Sequence, residues 1–169
     1  DYGISPYVNY SEAFFANASL AYAGFDNKYL YGLTEPTNTK QIEYGLKLTP
    51  NWLDGFVNIA FFNLKQDNAM TPSLVNGAPA WTPVSVQKAN GIEVQARASV
   101  FKHLTFDVSY TYLDKTDGDD EVRTVMTPKH MASGWVSYNF ADLGLSGLTL
   151  GAGVRYIGSS VGHYVNEQV

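Results

Sequence analysis

The chain has 169 residues, of which 16% are charged and 14% aromatic, with no cysteine and a net charge of −5 at pH 7. A typical soluble domain is about 25% charged, and no apolar run approaches the roughly 18 residues that a transmembrane helix needs. The composition excludes a disulfide framework and a zinc–thiolate site, argues against nucleic-acid binding, and is typical of a transmembrane barrel, whose strands are apolar on one face only.

Period-two alternation of apolar and polar residues is the main secondary-structure signal. It predicts seven strands, over residues 4–13, 39–49, 55–68, 91–101, 104–113, 128–140 and 148–158. Within 39–49, Glu43 and Lys47 lie on the face opposite the apolar residues. The pattern in 55–68 leaves open which face is the apolar one. Most of the segments have the length of about nine to eleven residues that crosses a bilayer at a tilt.

Long and short connections alternate along the chain. The sequence predicts long loops at 14–38, 69–88 and 114–127, short turns at 50–54, 102–103 and 141–147, and a further long loop after the last strand. Four prolines fall within the predicted loops: Pro36, Pro72, Pro79 and Pro83. In an up-and-down meander, this alternation places every long loop at one end, as in transmembrane barrels with long extracellular loops and short periplasmic turns.

Seven strands do not close a bacterial barrel, which has an even number, and an open edge in lipid leaves backbone groups unsatisfied. We therefore expect an all-β chain that forms part of a larger antiparallel, up-and-down transmembrane β-barrel. Aromatic residues occur where the membrane interfaces would lie. Phe101 and Phe140 are near short turns, Trp52 is within one, and Tyr112 and Tyr156 are near long loops.

Six segments, in chain order, resemble strands of the TonB-dependent siderophore receptors. They begin at Tyr7, Gln41, Asn90, Tyr110, Thr127 and Leu145, and read Y-V-N-Y-S-E-A-F, Q-I-E-Y-G-L-K, N-G-I-E-V-Q-A, Y-T-Y, T-P-K-H-M-A-S and L-S-G-L-T-L-G-A-G-V-R-Y-I-G-S-S. They are similar above all to the ferrichrome-iron-type receptors for hydroxamate siderophores. The resemblance implies a barrel of about 22 strands filled by an N-terminal plug domain. Residues 1–169 would supply roughly strands 13 to 19 of it, without the plug and the terminal strands.

The resemblance also implies a function, which is import of a ferric siderophore across the bacterial outer membrane. The expected partners are the siderophore, outer-membrane lipid and the TonB complex, which binds an N-terminal region outside this chain. Iron arrives with the siderophore, so no cofactor of the protein's own is implied. We expect a monomer without enzymatic activity and without a nucleic-acid partner. The alternative is a passive porin, or a TonB-dependent receptor for another cargo such as cobalamin or a glycan.

Two sets of candidate site residues follow. The first is polar, mixed in sign and predicted to face the barrel lumen: Glu43, Lys47, Glu93, Gln95, Arg97, Asp107 and Arg155. These side chains either contact the plug or a transport path, or pair with one another across strands within the wall. The second set consists of aromatic residues in predicted long loops: Tyr22, Phe25, Tyr29, Tyr31 and Trp81. Aromatic rings suit the apolar and amide surface of a hydroxamate siderophore, although loop self-packing and interface anchoring are the alternatives.

No metal or catalytic site is expected. The histidines His103, His130 and His163 are too far apart in sequence for a ligand pair, and His103 and His163 fall at opposite ends of the predicted strands. The acidic residues at 117 and 119–121 lack the spacing of an EF-hand loop and are expected to be solvated. A hydrolase would need a serine, a histidine and an acid at one site. His130 and Ser133 are close in sequence, but no acid partner is evident.

Overall fold

The computed structural model describes residues 3–16, 21–22, 29–30, 35–75, 78–118 and 122–162. Its strands are β1 (Ile4–Phe15), β2 (Ala21–Tyr22), β3 (Tyr29–Leu30), β4 (Thr37–Leu48), β5 (Asp54–Val75), β6 (Ala78–Val100), β7 (Leu104–Asp117), β8 (Val122–Arg123), β9 (His130–Asn139) and β10 (Thr149–Ile157), and a 3-10 helix covers Phe140–Leu143. The seven long strands are those that the alternation predicts. Among the described residues, no helix is long and apolar enough to cross a membrane.

The long strands form one antiparallel sheet in the order β1-β4-β5-β6-β7-β9-β10, in which each pairs with the next long strand along the chain. The predicted up-and-down meander is therefore confirmed. The short strand β8 pairs with the end of β7, and β2 pairs with β3 in a separate hairpin. Within the described residues, β1 and β10 do not pair with each other, so the sheet is open.

One face of this sheet is apolar and uncovered. Directly opposed residues of an antiparallel pair share a face, and the row through Leu46, Ile59 and Val94 is apolar across three strands. On the same face, Val8 and Val154 are each 74% exposed. Among the described residues, the buried apolar side chains are only those of three alanines. Such a surface would be an aggregation liability in water, but it suits contact with lipid.

The register also decides the orientation of β5, which the sequence leaves open. Ile59 pairs with Leu46 and Val94, and therefore lies on the apolar face. Asn58 pairs with Lys47 and Gln95, and therefore lies on the opposite, polar face. Neighbouring positions of β5 follow this alternation.

The prediction of a long loop over residues 69–88 is wrong. β5 and β6 stay paired from Asp54–Ser99 to Val75–Ala78, so this segment is a hairpin that continues the two strands beyond the rest of the sheet. Its prolines belong to pairs at every second position: Met70–Pro83, Pro72–Trp81 and Leu74–Pro79. Alternate residues direct their backbone N–H away from the partner strand. All three prolines lie in the same set of alternate positions. A proline, which has no N–H to donate, is tolerated at positions where the N–H of another residue would point to an open edge.

The other two predicted long loops contain short paired segments. β2 and β3 lie within 14–38, and β7 extends to Asp117, where β8 returns onto it through the pair Thr116–Arg123. The predicted strand 128–140 also proves shorter, because Phe140 begins the 3-10 helix. The carboxamide of Asn139 caps this helix by accepting a hydrogen bond from the Ala141 N–H at 2.9 Å.

Aromatic side chains mark both ends of the apolar face. At the long-connection end, one row of opposed residues, here called the aromatic row, contains Tyr44, Phe61, Tyr112 and His130. The rings of Tyr44 and Phe61 stack with centroids 5.4 Å apart. At the short-turn end, Trp52 is 84% and Phe101 86% exposed. Amphipathic rings prefer the headgroup level, so these positions fit the two interfaces of a bilayer.

Candidate functional site

All seven residues predicted to line the lumen lie on the polar face. One row of opposed residues crosses six strands and contains Lys47, Asn58, Gln95, Ser109, Ser133 and Arg155. Glu43 and Glu93 lie on this face toward the long-connection end, and Arg97 and Asp107 toward the short turns. The alternation within each strand and the register between strands together produce this arrangement.

A tyrosine organises the charges at the β1–β4 end of the polar face. The Tyr7 hydroxyl donates to Glu43 Oε1 at 2.8 Å, and Lys47 Nζ lies 5.3 Å from the centre of the Tyr7 ring. Gln41 Nε2 donates to the other carboxylate oxygen of Glu43 at 3.4 Å. The ring can lie flat on the wall because Gly45 is opposite, where a Cβ atom would come within 2.6 Å of it. The Glu43 and Lys47 side chains are thereby held in place, although they do not contact each other directly.

One ion pair agrees with the alternative of charge pairing within the wall. Arg97 and Asp107 are opposed residues of β6 and β7, and Arg97 Nε lies 3.9 Å from Asp107 Oδ1. Their side chains are 59% and 42% exposed. An exposed pair at this distance contributes at most about 1 kcal/mol to stability. Among the described residues, Glu93 and Arg155 form no such ion pair.

A shallow depression of about 450 Å³ opens on the polar face around β7, β9 and β10. Its polar lining comes from Gln95, Asp107, Ser109, Ser133 and Arg155, with the Trp135 ring at one side. The hydroxyls of Ser109 and Ser133 lie 2.7 Å apart and bond to each other. Arg155 forms no ion pair among the described residues, so the N–H donors of its guanidinium can bind a group outside this sheet. Among the described residues, no acid–histidine pair lies beside the Ser133 hydroxyl, because the His130 ring bonds Tyr110 on the other face.

Large aromatic rings on the polar face lie over glycines of the neighbouring strand. A Cβ at Gly151 or Gly153 would come within 2.5 Å of the Trp135 ring, and one at Gly91 within 2.3 Å of Phe62. With Tyr7 over Gly45, three such rings spread aromatic surface along the wall. Sequence reasoning did not include Tyr7, Phe62 or Trp135 among the candidate site residues. Only the cross-strand register could have revealed which glycine opposes which ring.

The aromatic loop candidates are only partly described. Tyr22 in β2 pairs with Tyr29 in β3, and Trp81 in β6 pairs with Pro72 of the extended hairpin. β2 lies against β6, so the backbone brings the first two long connections together. Phe25 and Tyr31 lie outside the described residues.

Within the described ranges, no three histidine, cysteine or acidic residues come together as a metal site. His130 Nδ1 lies 2.9 Å from the Tyr110 hydroxyl, and the His103 ring lies against Tyr138 near the short turns. Asp117 accepts a hydrogen bond from Gln87 at 2.6 Å. His163 and the acidic residues at 119–121 lie outside the described residues.

Comparison with known proteins gives consistent similarities. A family model described as TonB dependent receptor-like, beta-barrel matches residues 1–168. The chain is 36% identical to the ferrichrome outer membrane transporter/phage receptor of Escherichia coli K12, over 99% of this chain and 22% of that protein. It is 31% identical to the ferrioxamine receptor of Yersinia enterocolitica, over 94% of this chain and 21% of that protein. The chain thus spans about a fifth of the length of these relatives.

Solved structures show the same fold at lower identity. The ferripyoverdine receptor of Pseudomonas aeruginosa bound to ferripyoverdine has a TM-score of 0.68 at 20% identity, covering 93% of this chain and 21% of that chain. The alcaligin outer membrane receptor of Bordetella pertussis has a TM-score of 0.62 at 21% identity, covering 92% of this chain and 27% of that chain.

Proposed function

Because the chain belongs to the TonB-dependent receptors, as part of their outer-membrane β-barrel, we propose that the whole protein imports a ferric siderophore of the hydroxamate type. The observation that carries this proposal is the similarity to two receptors named for ferrichrome and ferrioxamine, at 36% and 31% identity over nearly the whole chain. Both ligands are hydroxamates. These relatives are transport receptors rather than enzymes. The iron would be cargo, held by the siderophore, and no cofactor of the protein's own is proposed.

The polar face would contact the plug domain that fills the barrel. It carries charges of both signs, on Glu43, Lys47, Glu93 and Arg155. Elsewhere on this face, aromatic rings lie against glycines of the neighbouring strands. Buried charges need partners, and Glu93 and Arg155 have no ion pair among the described residues. Charged or hydrogen-bonding groups of a plug would supply these partners. The TonB complex would act on the protein through a region outside this chain.

Siderophore capture would take place at the long-connection end, which faces the cell exterior in barrels of this kind. β2, β3 and the extended β5–β6 hairpin meet there, and they carry Tyr22, Tyr29 and Trp81. Aromatic side chains combine a large apolar area with few rotatable bonds, and they dominate binding surfaces for ligands of this size.

Import is tested by expressing the full-length receptor in iron-starved cells that lack their own hydroxamate receptors. We expect growth and uptake of radioactive iron with a ferric hydroxamate as the sole iron source, and loss of both when TonB is inactivated. Growth that persists without TonB would indicate a passive porin. Failure with every hydroxamate, together with TonB-dependent uptake of cobalamin or a glycan, would show that the cargo is wrong although the family is right.

Ligand capture is tested with two tryptophan substitutions at opposite ends of the same barrel. In the purified full-length receptor, Trp81→Ala should weaken binding of the ferric hydroxamate about tenfold, as expected for the loss of one aromatic contact. Trp52→Ala, in a short turn at the far end, should leave affinity unchanged. Binding is measured by quenching of the intrinsic fluorescence. Equal effects of the two substitutions would remove the long-connection end as the capture site.

A further inference from the structure

The depression on the polar face has a definite cause in the sequence. Ser109 and Ser133 are directly opposed in β7 and β9, and their short side chains fill little of the space above the sheet. The larger side chains of Gln95 and Arg155 flank the two serines in the same row of opposed residues. Trp135, the next residue of β9 on this face, has its ring over two glycines of β10. The depression of about 450 Å³ is the gap above the serine pair.

This gap lies near the middle of the barrel wall. Ser109 is three residues from Tyr112 of the aromatic row and five residues from Leu104, where β7 begins after the short turn. At a rise of about 3.3 Å per residue, these separations are about 10 Å and about 17 Å along the strand. A cargo that enters the barrel at the long-connection end and leaves at the short-turn end must pass this level.

The side chains around the gap suit the surface of a ferric hydroxamate. Hydroxamate oxygens share negative charge with the iron and accept hydrogen bonds. The Arg155 guanidinium can offer up to five N–H donors and the Gln95 amide two, while the Trp135 ring gives apolar area for the hydrocarbon parts of the ligand. Ligand sites of about 300–1,000 Å³ combine such apolar surface with a few polar groups, and the depression has a volume in this range.

The depression is also open enough to release what it binds. The side chains of Gln95, Ser133, Trp135 and Arg155 are all exposed, so the described strands contact a ligand from one side only. A solute that crosses a membrane needs sites that bind it well enough to admit it and weakly enough to let it leave. A shallow, polar site at mid-depth meets this requirement better than it meets the need for tight capture.

We propose that this depression is a transient binding site for the ferric hydroxamate as it passes through the barrel, after capture at the long-connection end. Arg155 and Gln95 donate hydrogen bonds to the hydroxamate oxygens, and the Trp135 ring packs against the ligand's hydrocarbon. The inference rests on the proposed function, because it takes the cargo to be a hydroxamate. A plug group that contacts Arg155 at rest must leave before the cargo can bind there.

Filling the gap in the full-length receptor tests whether the cargo uses it. Ser133→Leu places a larger side chain in the depression. The matched control is Ser5→Leu, because Ser5 of β1 is opposite Lys47 in the same row and does not line the depression. Uptake of radioactive ferric hydroxamate at saturating concentration should fall about tenfold in Ser133→Leu and stay unchanged in Ser5→Leu. The affinity of both variants for the ligand at the cell surface should equal that of the parent.

Arg155 provides a second variant, which tests the polar contacts. Arg155→Gln should lower the maximal uptake rate about tenfold, as expected for the loss of one charge-assisted hydrogen bond, without changing surface affinity. Arg155→Lys should recover part of the rate, because lysine keeps the charge but not the planar set of donors. Normal uptake by Arg155→Gln, together with entry of large antibiotics that the parent excludes, would show a contact site for the plug alone and would overturn the proposal.

Photocross-linking tests occupancy directly. Benzoylphenylalanine in place of Ser133 should cross-link a tritiated ferric hydroxamate in cells with active TonB and not in cells without it, and in place of Ser5 it should capture none. Equal capture at the two positions, or cross-links at position 133 to the plug only, would contradict the proposal. Lack of hydroxamate uptake by the parent receptor would reject the proposed function itself. Normal uptake by the parent with equal rates in both leucine variants would reject this site alone.

Discussion

Replacing Val108 by arginine should destabilise the folded barrel by about 2–4 kcal/mol, the cost of a basic side chain at the middle of the bilayer in such barrels. On the apolar face of β7, Val108 lies midway between Leu104 and Tyr112 of the aromatic row. It is opposite Ala96 on one strand and Gly134 on the other, and it is 51% exposed. Nothing in the described sheet covers it, so in the membrane its neighbours are lipid chains. The effect is measured as the shift in urea unfolding of the full-length receptor in lipid vesicles.

The matched control is Gln95→Arg on the neighbouring strand. Gln95 lies on the polar face, beside Asn58 and Ser109, at a similar depth in the membrane. It should tolerate arginine with a change of less than about 1 kcal/mol, because lumen positions accept charge. Equal destabilisation by the two substitutions, or a larger effect at position 95, would mean that the two faces have been assigned wrongly.

Replacing Gly55 by alanine should also destabilise the sheet, by about 1–3 kcal/mol. A Cβ at this position would lie 2.0 Å from the carbonyl oxygen of Arg97 and 2.7 Å from Cα of Ala98. Both atoms belong to the backbone of β6, so no side-chain rotation relieves the contact and the two strands must separate locally. The prediction is checked by thermal unfolding of the variant receptor in the same vesicles.

A second strand glycine provides the control for the loss of Gly55. At Gly134 the nearest atom to an added Cβ is Cγ1 of Val154, at 4.0 Å, which is an ordinary contact. Gly134→Ala should therefore be neutral or slightly stabilising, because alanine loses less conformational freedom on folding than glycine does. If Gly55→Ala unfolds at the same temperature as Gly134→Ala, the close packing of β5 against β6 is not present in the folded receptor.

Much of this fold could be predicted because the alternation within a strand is a local property. In residues 92–100, apolar and polar side chains alternate without a break, which fixes both the strand and its two faces. The lumen candidates Glu93, Gln95 and Arg97 share one parity in that segment, and the structure confirms that they share a face. Lys47 and Arg155 belong to other strands, so only the pairing register between the strands of the meander shows that they lie on the same face.

The parts that could not be predicted depend on that register. Large apolar residues occur at both parities of β5, since Phe61 lies on the apolar face and Phe62 covers Gly91 on the polar face. The extended hairpin was hidden by Pro72, Pro79 and Pro83, which are usual loop residues but here occupy the open-edge positions of a two-stranded ladder.

The central claim is that these strands cross a bilayer with one face in lipid and the other in the barrel interior. Residues 1–169 contain no cysteine, so once any cysteine elsewhere in the full-length receptor is replaced, single cysteines at positions 92–98 of β6 can each carry a nitroxide label in vesicles. We predict that collisions with oxygen, which concentrates in lipid, peak at positions 92, 94, 96 and 98 and are low at 93, 95 and 97. The absence of a two-residue period, or peaks at 93, 95 and 97, would contradict the claim.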